Sequence, residues 1–124
     1  MAVWLNERRR SRRGSCSSLI DIVLSDAVSE LPFQLFHRCT NLQTLVIPDG
    51  VLRIGTDAFG EAGLAAVLIP TSVRSIGTRA FMQCGALVSV TIPDSVTAIG
   101  AQAFQECGAL SAVAIPDSVT TIAD

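Results

Sequence analysis

Four cysteines, Cys16, Cys39, Cys84 and Cys107, are the residues of this 124-residue chain with the most chemistry to offer. Thiolates ligate zinc, and paired thiols close disulfides. Their separations are 23, 45 and 23 residues, so all four fall at one position of a repeating unit. Zinc needs ligands that converge on one point, whereas a repeat spreads equivalent residues along an axis. Neighbours one repeat apart would lie within disulfide Cα range, but their Cβ vectors would run parallel, which is poor bridging geometry. The expectation is therefore a ladder of small buried hydrophobes, with no metal and no cofactor.

The acids and the one histidine are weighed in the same way. Asp26, Asp49, Asp94 and Asp117 recur at another fixed position, interrupted by Thr71. A calcium site wants six or more oxygens, and one carboxylate per repeat is too few. Turn stabilisation by Asx hydrogen bonds is the simpler role. His37 shares its column with Gly60, Met82 and Gln105, which reads as a variable exposed position. No Ser or Cys is placed to be its nucleophilic partner, and no carboxylate pair converges near it. The chain is expected not to be an enzyme.

The elements that position these residues follow from the repeat itself. Residues 87–107 read LVSVTIPDSVTAIGAQAFQEC, and the neighbouring copies start at Leu42, Leu64 and Leu110, with a weaker first copy at Leu19. Ile–Pro pairs recur at 47–48, 69–70, 92–93 and 115–116, and phenylalanines at 36, 59, 81 and 104, with a step of 23 residues that is once 22. Self-similarity at such a period is the mark of a solenoid.

Within a copy, the β-branched stretch containing Val90 and Ile92 predicts a short strand. Pro93, Asp94 and Ser95 end it, since Pro lacks an N–H for a ladder. Residues 96–99 predict a second extended piece closed by Gly100, and residues 101–106 a single turn of 3₁₀ or α helix. One such coil cannot bury its own apolar side, but stacked coils can, with strands paired in parallel about 4.8 Å apart. The predicted inward columns are Leu19/Leu42/Leu64/Leu87/Leu110, Ile22/Leu45/Val67/Val90/Val113 and Leu24/Ile47/Ile69/Ile92/Ile115. Behind them come Val28/Val51/Val73/Val96/Val119 and Leu31/Ile54/Ile76/Ile99/Ile122, with the Phe column in the far corner. In this register Arg38 faces Glu61 and Asp57 faces Arg79 across one rung.

The pattern LxxVxIPxSVxxIGxxAFxxC resembles the BspA-type leucine-rich repeat, the 23-residue class of bacterial surface proteins and protist proteins. The resemblance runs from about Cys16 to the end, in four copies plus a partial fifth. The first copy departs from it, with Ser25 for the Pro and Pro32 for the Gly. It implies a leucine-rich-repeat solenoid, β-rich, with one short parallel strand per coil. For secreted members it implies adhesion or host-protein binding.

Composition bounds the partners. Apolar residues make up 49% and charged residues 16% of the chain, which excludes a disordered polymer. The uninterrupted apolar runs are far shorter than the roughly 18–20 residues of a membrane helix. All nine basic residues are Arg, five of them at 8, 9, 10, 12 and 13, while residues 15–124 hold four Arg against ten acids. A folded body so charged is not expected to bind nucleic acid. Residues 1–15 are read as a basic, disordered tail, with regulation through the Arg cluster a weaker alternative, and residues 16–124 as the solenoid. No secretory signal precedes the repeats, so the chain as written is expected inside the cell, and at the cell surface or secreted if its start is incomplete.

With chemistry set aside, the outer sheet face remains. Its outward residues are Asp21 and Val23, Thr44 and Val46, Ala66 and Leu68, Ser89 and Thr91, and Ala112 and Ala114. Val23, Val46 and Leu68 form an apolar stripe, and contiguous exposed apolar surface marks partner sites. The stripe has no aromatic and no Arg, the usual anchors of tight interfaces. The function expected is protein–protein binding through this face, with an unidentified protein as partner. The alternative is a structural spacer or self-stacking piece of a longer array, because the fifth copy stops before its Phe and an uncapped coil can associate end to end.

Overall fold

The computed structural model describes residues 24–111 and 113–122. Seven short strands form: β1 (Glu30–Leu31), β2 (Arg53–Ile54), β3 (Ala66–Leu68), β4 (Ser75–Ile76), β5 (Ser89–Thr91), β6 (Ala98–Ile99) and β7 (Thr121–Ile122). All pairings are parallel, in a five-stranded sheet β1-β2-β4-β6-β7 and a two-stranded sheet β3-β5. The larger sheet pairs Leu31 with Ile54, Ile54 with Ile76, Ile76 with Ile99 and Ile99 with Ile122. Like residues of successive copies lie on top of one another, as a solenoid requires.

The weight of the two sheets differs from the expectation. The second extended piece of every coil joins the larger sheet, whereas the stretch expected to carry the main strand forms a strand only in β3 and β5 among the described residues, and these pair with each other in the smaller sheet. The reason lies in what flanks each piece. The second piece runs between a Pro turn and a glycine that brings successive backbones into contact, so its spacing is held at both ends.

Turn closure also differs from the expectation. Each Pro turn is closed by its backbone: Val51 N–H donates to the Pro48 carbonyl, and Val73, Val96 and Val119 repeat the bond to Pro70, Pro93 and Pro116 at 3.1–3.2 Å. The acids Asp26, Asp49, Asp94 and Asp117 stay exposed, and no Asx bond from them closes these turns among the described residues. In two coils the serine before the valine does more. Ser72 donates to the Val51 carbonyl at 2.7 Å and Ser118 to the Val96 carbonyl at 2.8 Å, so both hydroxyls staple one coil to the next.

The far corner is not helical; among the described residues no helix forms. Instead, N–H groups there alternate between two directions. Phe59 donates to Ala80 of the next coil and Phe81 to Ala103, while Ala58 and Ala80 donate back within their own turn to Gly55 and Gly77. A helix would direct every N–H along its own axis; this ladder of turns sends every second one across the rung and so binds coils together. The alternation requires left-handed backbone at two positions per turn, and polar or charged residues hold them: Gln34 and Arg38, Asp57 and Glu61, Arg79 and Gln83, Gln102 and Glu106, with φ between 54° and 63°. Those same positions carry the cross-rung pairs. Arg38 meets Glu61 at 3.4 Å, Arg79 meets Asp57 through two bonds at 3.2 and 3.3 Å, and Gln83 donates to Glu106 at 2.6 Å. The two charge pairs expected from the register are thus formed. The Arg38–Glu61 pair is exposed and contributes at most about 1 kcal/mol, so it reports the register more than it holds it, whereas Asp57 is buried under Arg79.

Among the described residues the core is built on the predicted columns, while Leu19, Ile22 and the side chain of Ile122 lie outside what is described. Leu42, Leu64 and Leu87 are fully buried, as are Phe36, Phe59 and Phe81, and the rings stack from Phe36 to Phe104 with centroids 5.0–5.4 Å apart. The rings of Phe59 and Phe81 are nearly parallel, at 4°. Ile115 departs from its column and is 44% exposed.

Candidate protein-binding face

The expected face is built from β3, β5 and the extended chain at residues 44–48 beside them. In a strand, alternate side chains point to opposite sides, so Val67 turns inward while Ala66 and Leu68 turn out. Pairing of Ala66 with Ser89 and of Leu68 with Thr91 brings four outward residues together. Thr44, Val46, Ala66, Leu68, Ser89, Thr91 and Ala114 are all exposed. Asp21, Val23 and Ala112 lie outside the described residues. Val46 and Leu68 are 81% and 72% exposed, a degree unusual for large aliphatic side chains.

The face is concave. A groove of about 680 Å³ is lined by Thr44, Val46, Ala66, Leu68, Ser89 and Thr91 together with Leu24, Asp26, Leu45, Pro48 and Val67. A smaller hollow of about 380 Å³ adjoins it between Val46, Asp49, Leu68 and Thr71. Val46 and Leu68 therefore stand on the ridge shared by two depressions. Asp26 and Asp49 lie on the margins, and no basic side chain lines either hollow among the described residues. Ala114 does not line them. Leu24 and Pro48 escaped the sequence reading because they belong to an inward column and a turn, and they reach the groove only through the curvature of the coil edge. Phe33, 63% exposed outside the repeat pattern, also went unanticipated.

The other chemically capable residues are placed apart from this face. Cys84 and Cys107 are buried free thiols that donate to the Phe59 and Phe81 carbonyls at 3.0 and 3.1 Å, a ladder position as expected. Cys39 corrects that expectation. It is disulfide-bonded, with a partner that lies outside the described residues and is neither Cys84 nor Cys107. Parallel Cβ vectors make bridging awkward without forbidding it, because a one-rung spacing of about 4.8 Å lies inside the Cα range that a disulfide spans. His37 is half-buried rather than exposed, because Gly60 beneath it has no side chain; a Cβ there would come within 2.9 Å of His37 Nδ1. No group of three or more His, Cys, Asp or Glu is arranged to hold a metal ion among the described residues.

Parallel coils of 22 or 23 residues, a Phe ladder and a Pro turn at each corner define the repeat class. The family described as BspA type Leucine rich repeat region (6 copies) matches residues 13–124. The chain belongs to this family. Solved structures of leucine-rich-repeat proteins share its fold. A leucine-rich repeat protein from Bacteroides ovatus superposes with a TM-score of 0.80 at 26% identity, over 89% of this chain and 35% of its own. The leucine-rich repeat protein of T. pallidum gives a TM-score of 0.80 at 31% identity, over 88% and 58%. A leucine-rich cell surface protein from Faecalibacterium prausnitzii gives 0.63 at 28%, over 79% and 38%. This BspA-type chain thus spans between about a third and three-fifths of the length of those structures. No curated protein matches it significantly. Among the described residues no helix is long and apolar enough to cross a membrane.

Proposed function

We propose that this chain is a non-enzymatic protein-binding module that engages a protein partner through its concave sheet face, from Asp21 and Val23 through Thr44, Val46, Ala66, Leu68, Ser89 and Thr91 to Ala112 and Ala114. Residues 16–124 carry this role and residues 1–15 stand outside it. The supporting observation is the ridge of Val46 and Leu68, two aliphatic side chains held in water beside hollows that a partner's side chains can fill. Leaving such groups exposed forgoes burial of roughly 1.5–3 kcal/mol each, which association recovers. The competing reading, self-stacking through an open end, places the contact on the edge of a coil and not on this face.

Ala66→Arg separates the two. The new guanidinium stands in the groove without disturbing a packed residue, so the thermal midpoint should hold within a degree or two while partner capture falls at least tenfold. Capture unchanged by Ala66→Arg removes the face from consideration. If light scattering shows an oligomer that survives the substitution, the end-stacking reading takes its place.

A second reading concerns location. Similarity to a cell surface protein and a disulfide at Cys39 both favour an oxidising, extracytoplasmic setting for the whole protein. Surface biotinylation of intact cells should then label the native protein. Exclusive labelling after lysis contradicts this reading.

A further inference from the structure

Two thiols that the proposed binding role leaves unused stand one rung apart, and neither lines the groove. Cys84 is fully buried and Cys107 is 9% exposed, and both are free. Their coils are held in register by the pairing of Ile76 with Ile99 and by the bond from Gln83 N–H to the Gln105 carbonyl at 2.8 Å. A one-rung spacing of about 4.8 Å falls inside the Cα range that a disulfide spans. Cys39, at the equivalent position of an earlier coil, already engages in a disulfide, so the fold tolerates a bridge from this column.

We propose that Cys84 and Cys107 form a redox pair that closes into an intramolecular disulfide between adjacent coils, with a low-molecular-weight disulfide as the oxidant. Cys107 is the attacking group. When Cys107 ionises, the Cys84 thiol turns its one proton from the Phe59 carbonyl to the Cys107 sulfur, which holds the Cys107 pKa at about 7, below the ordinary 9.0, against the opposing effect of burial. The same hydrogen bond, followed by burial and the charge of the Cys107 thiolate, holds Cys84 protonated. Attack of the Cys107 thiolate on the oxidant forms one S–S bond and breaks another; the expelled thiolate takes a proton from water.

The mixed disulfide then prepares its own resolution. Cys107 no longer carries a charge, so the hydrogen bond and the charge that kept Cys84 protonated are both lost. Cys84 gives its proton to water and attacks the Cys107 sulfur, releasing the second small thiol. In sum two protein thiols are oxidised to one disulfide, and one small disulfide is reduced to two thiols. The bridge joins coils that are otherwise linked across this corner by backbone bonds and the Gln83–Glu106 contact.

The test uses the full chain incubated with excess oxidised glutathione at mildly alkaline pH, then alkylated in denaturant and digested for mass spectrometry. Both thiols should disappear together, with Cys84 and Cys107 peptides cross-linked within monomers and a thermal midpoint several degrees higher than in the reduced chain. Cys84→Ser should stop at a glutathione adduct on Cys107. Thiols that remain fully alkylatable, a wild type that stops at glutathione adducts, or bridges formed between molecules or to other cysteines would each overturn the proposal. The wild-type readout decides by itself if the variant folds poorly.

Discussion

Phe81→Ala is expected to lower stability by about 3–5 kcal/mol, read as a fall in the urea midpoint. Phe81 is fully buried and stacks against Phe59 at 5.0 Å on one side and Phe104 at 5.4 Å on the other. Removing it opens a void inside a continuous column. Neighbouring coils cannot collapse into that void without breaking the backbone bonds from Phe59 to Ala80 and from Phe81 to Ala103. The cavity term therefore stays near its maximum. Phe33→Ala is the comparison, because that ring is 63% exposed. It should cost well under 1 kcal/mol. Equal losses at the two positions would mean that the stacked ring column does not support the fold.

Gly77→Ala is expected to cost about 3 kcal/mol or more, at the upper end of overpacking effects. Its missing side chain is a matter of space. A Cβ on Gly77 would lie 2.9 Å from the Gly55 carbonyl carbon, the Ile54 oxygen and the Thr56 nitrogen. All three belong to backbone, which has no rotamer to swing aside. A Cβ on Gly100 would in turn lie 2.7 Å from the Gly77 carbonyl carbon, so the same close approach recurs one coil further up the stack. Gly85→Ala adds the same methyl where nothing lies within 4 Å, and should leave the denaturation midpoint within a few tenths of a kcal/mol of wild type or raise it slightly. If both glycine variants unfold at the same denaturant concentration, close coil-to-coil approach is not what the glycine column provides.

Together these positions describe how a chain with so few strand residues stays ordered. Rings and aliphatic columns supply the burial. The glycines allow the spacing at which backbone and Ser hydroxyl bonds reach across each rung. The charged and amide residues at left-handed positions tolerate an unfavourable backbone because those bonds compensate it. The sheet face is then free to differ from coil to coil, since its outward residues pair through their backbones while their side chains stand in solvent.

The repeat period, the coil register, the buried columns and the cross-rung pairs Arg38–Glu61 and Asp57–Arg79 were all determined by the sequence alone. Each follows from aligning like residues, because stacking makes equivalent positions neighbours whatever the local conformation. The outward residues of β3 and β5 were legible for a related reason: side chains alternate along a strand. What needed the tertiary structure were the features set by contact between coils. The corner looked helical by composition and is a ladder of turns, because its N–H groups are satisfied by the next coil and not by the next residue. Ser72 and Ser118 act as staples, His37 sinks over Gly60, and Cys39 is bridged, none of which a single copy of the repeat encodes. The groove belongs to the same group: it forms where Leu24, Asp26 and Pro48 meet the outward residues of neighbouring coils, a juxtaposition no single copy of the repeat records.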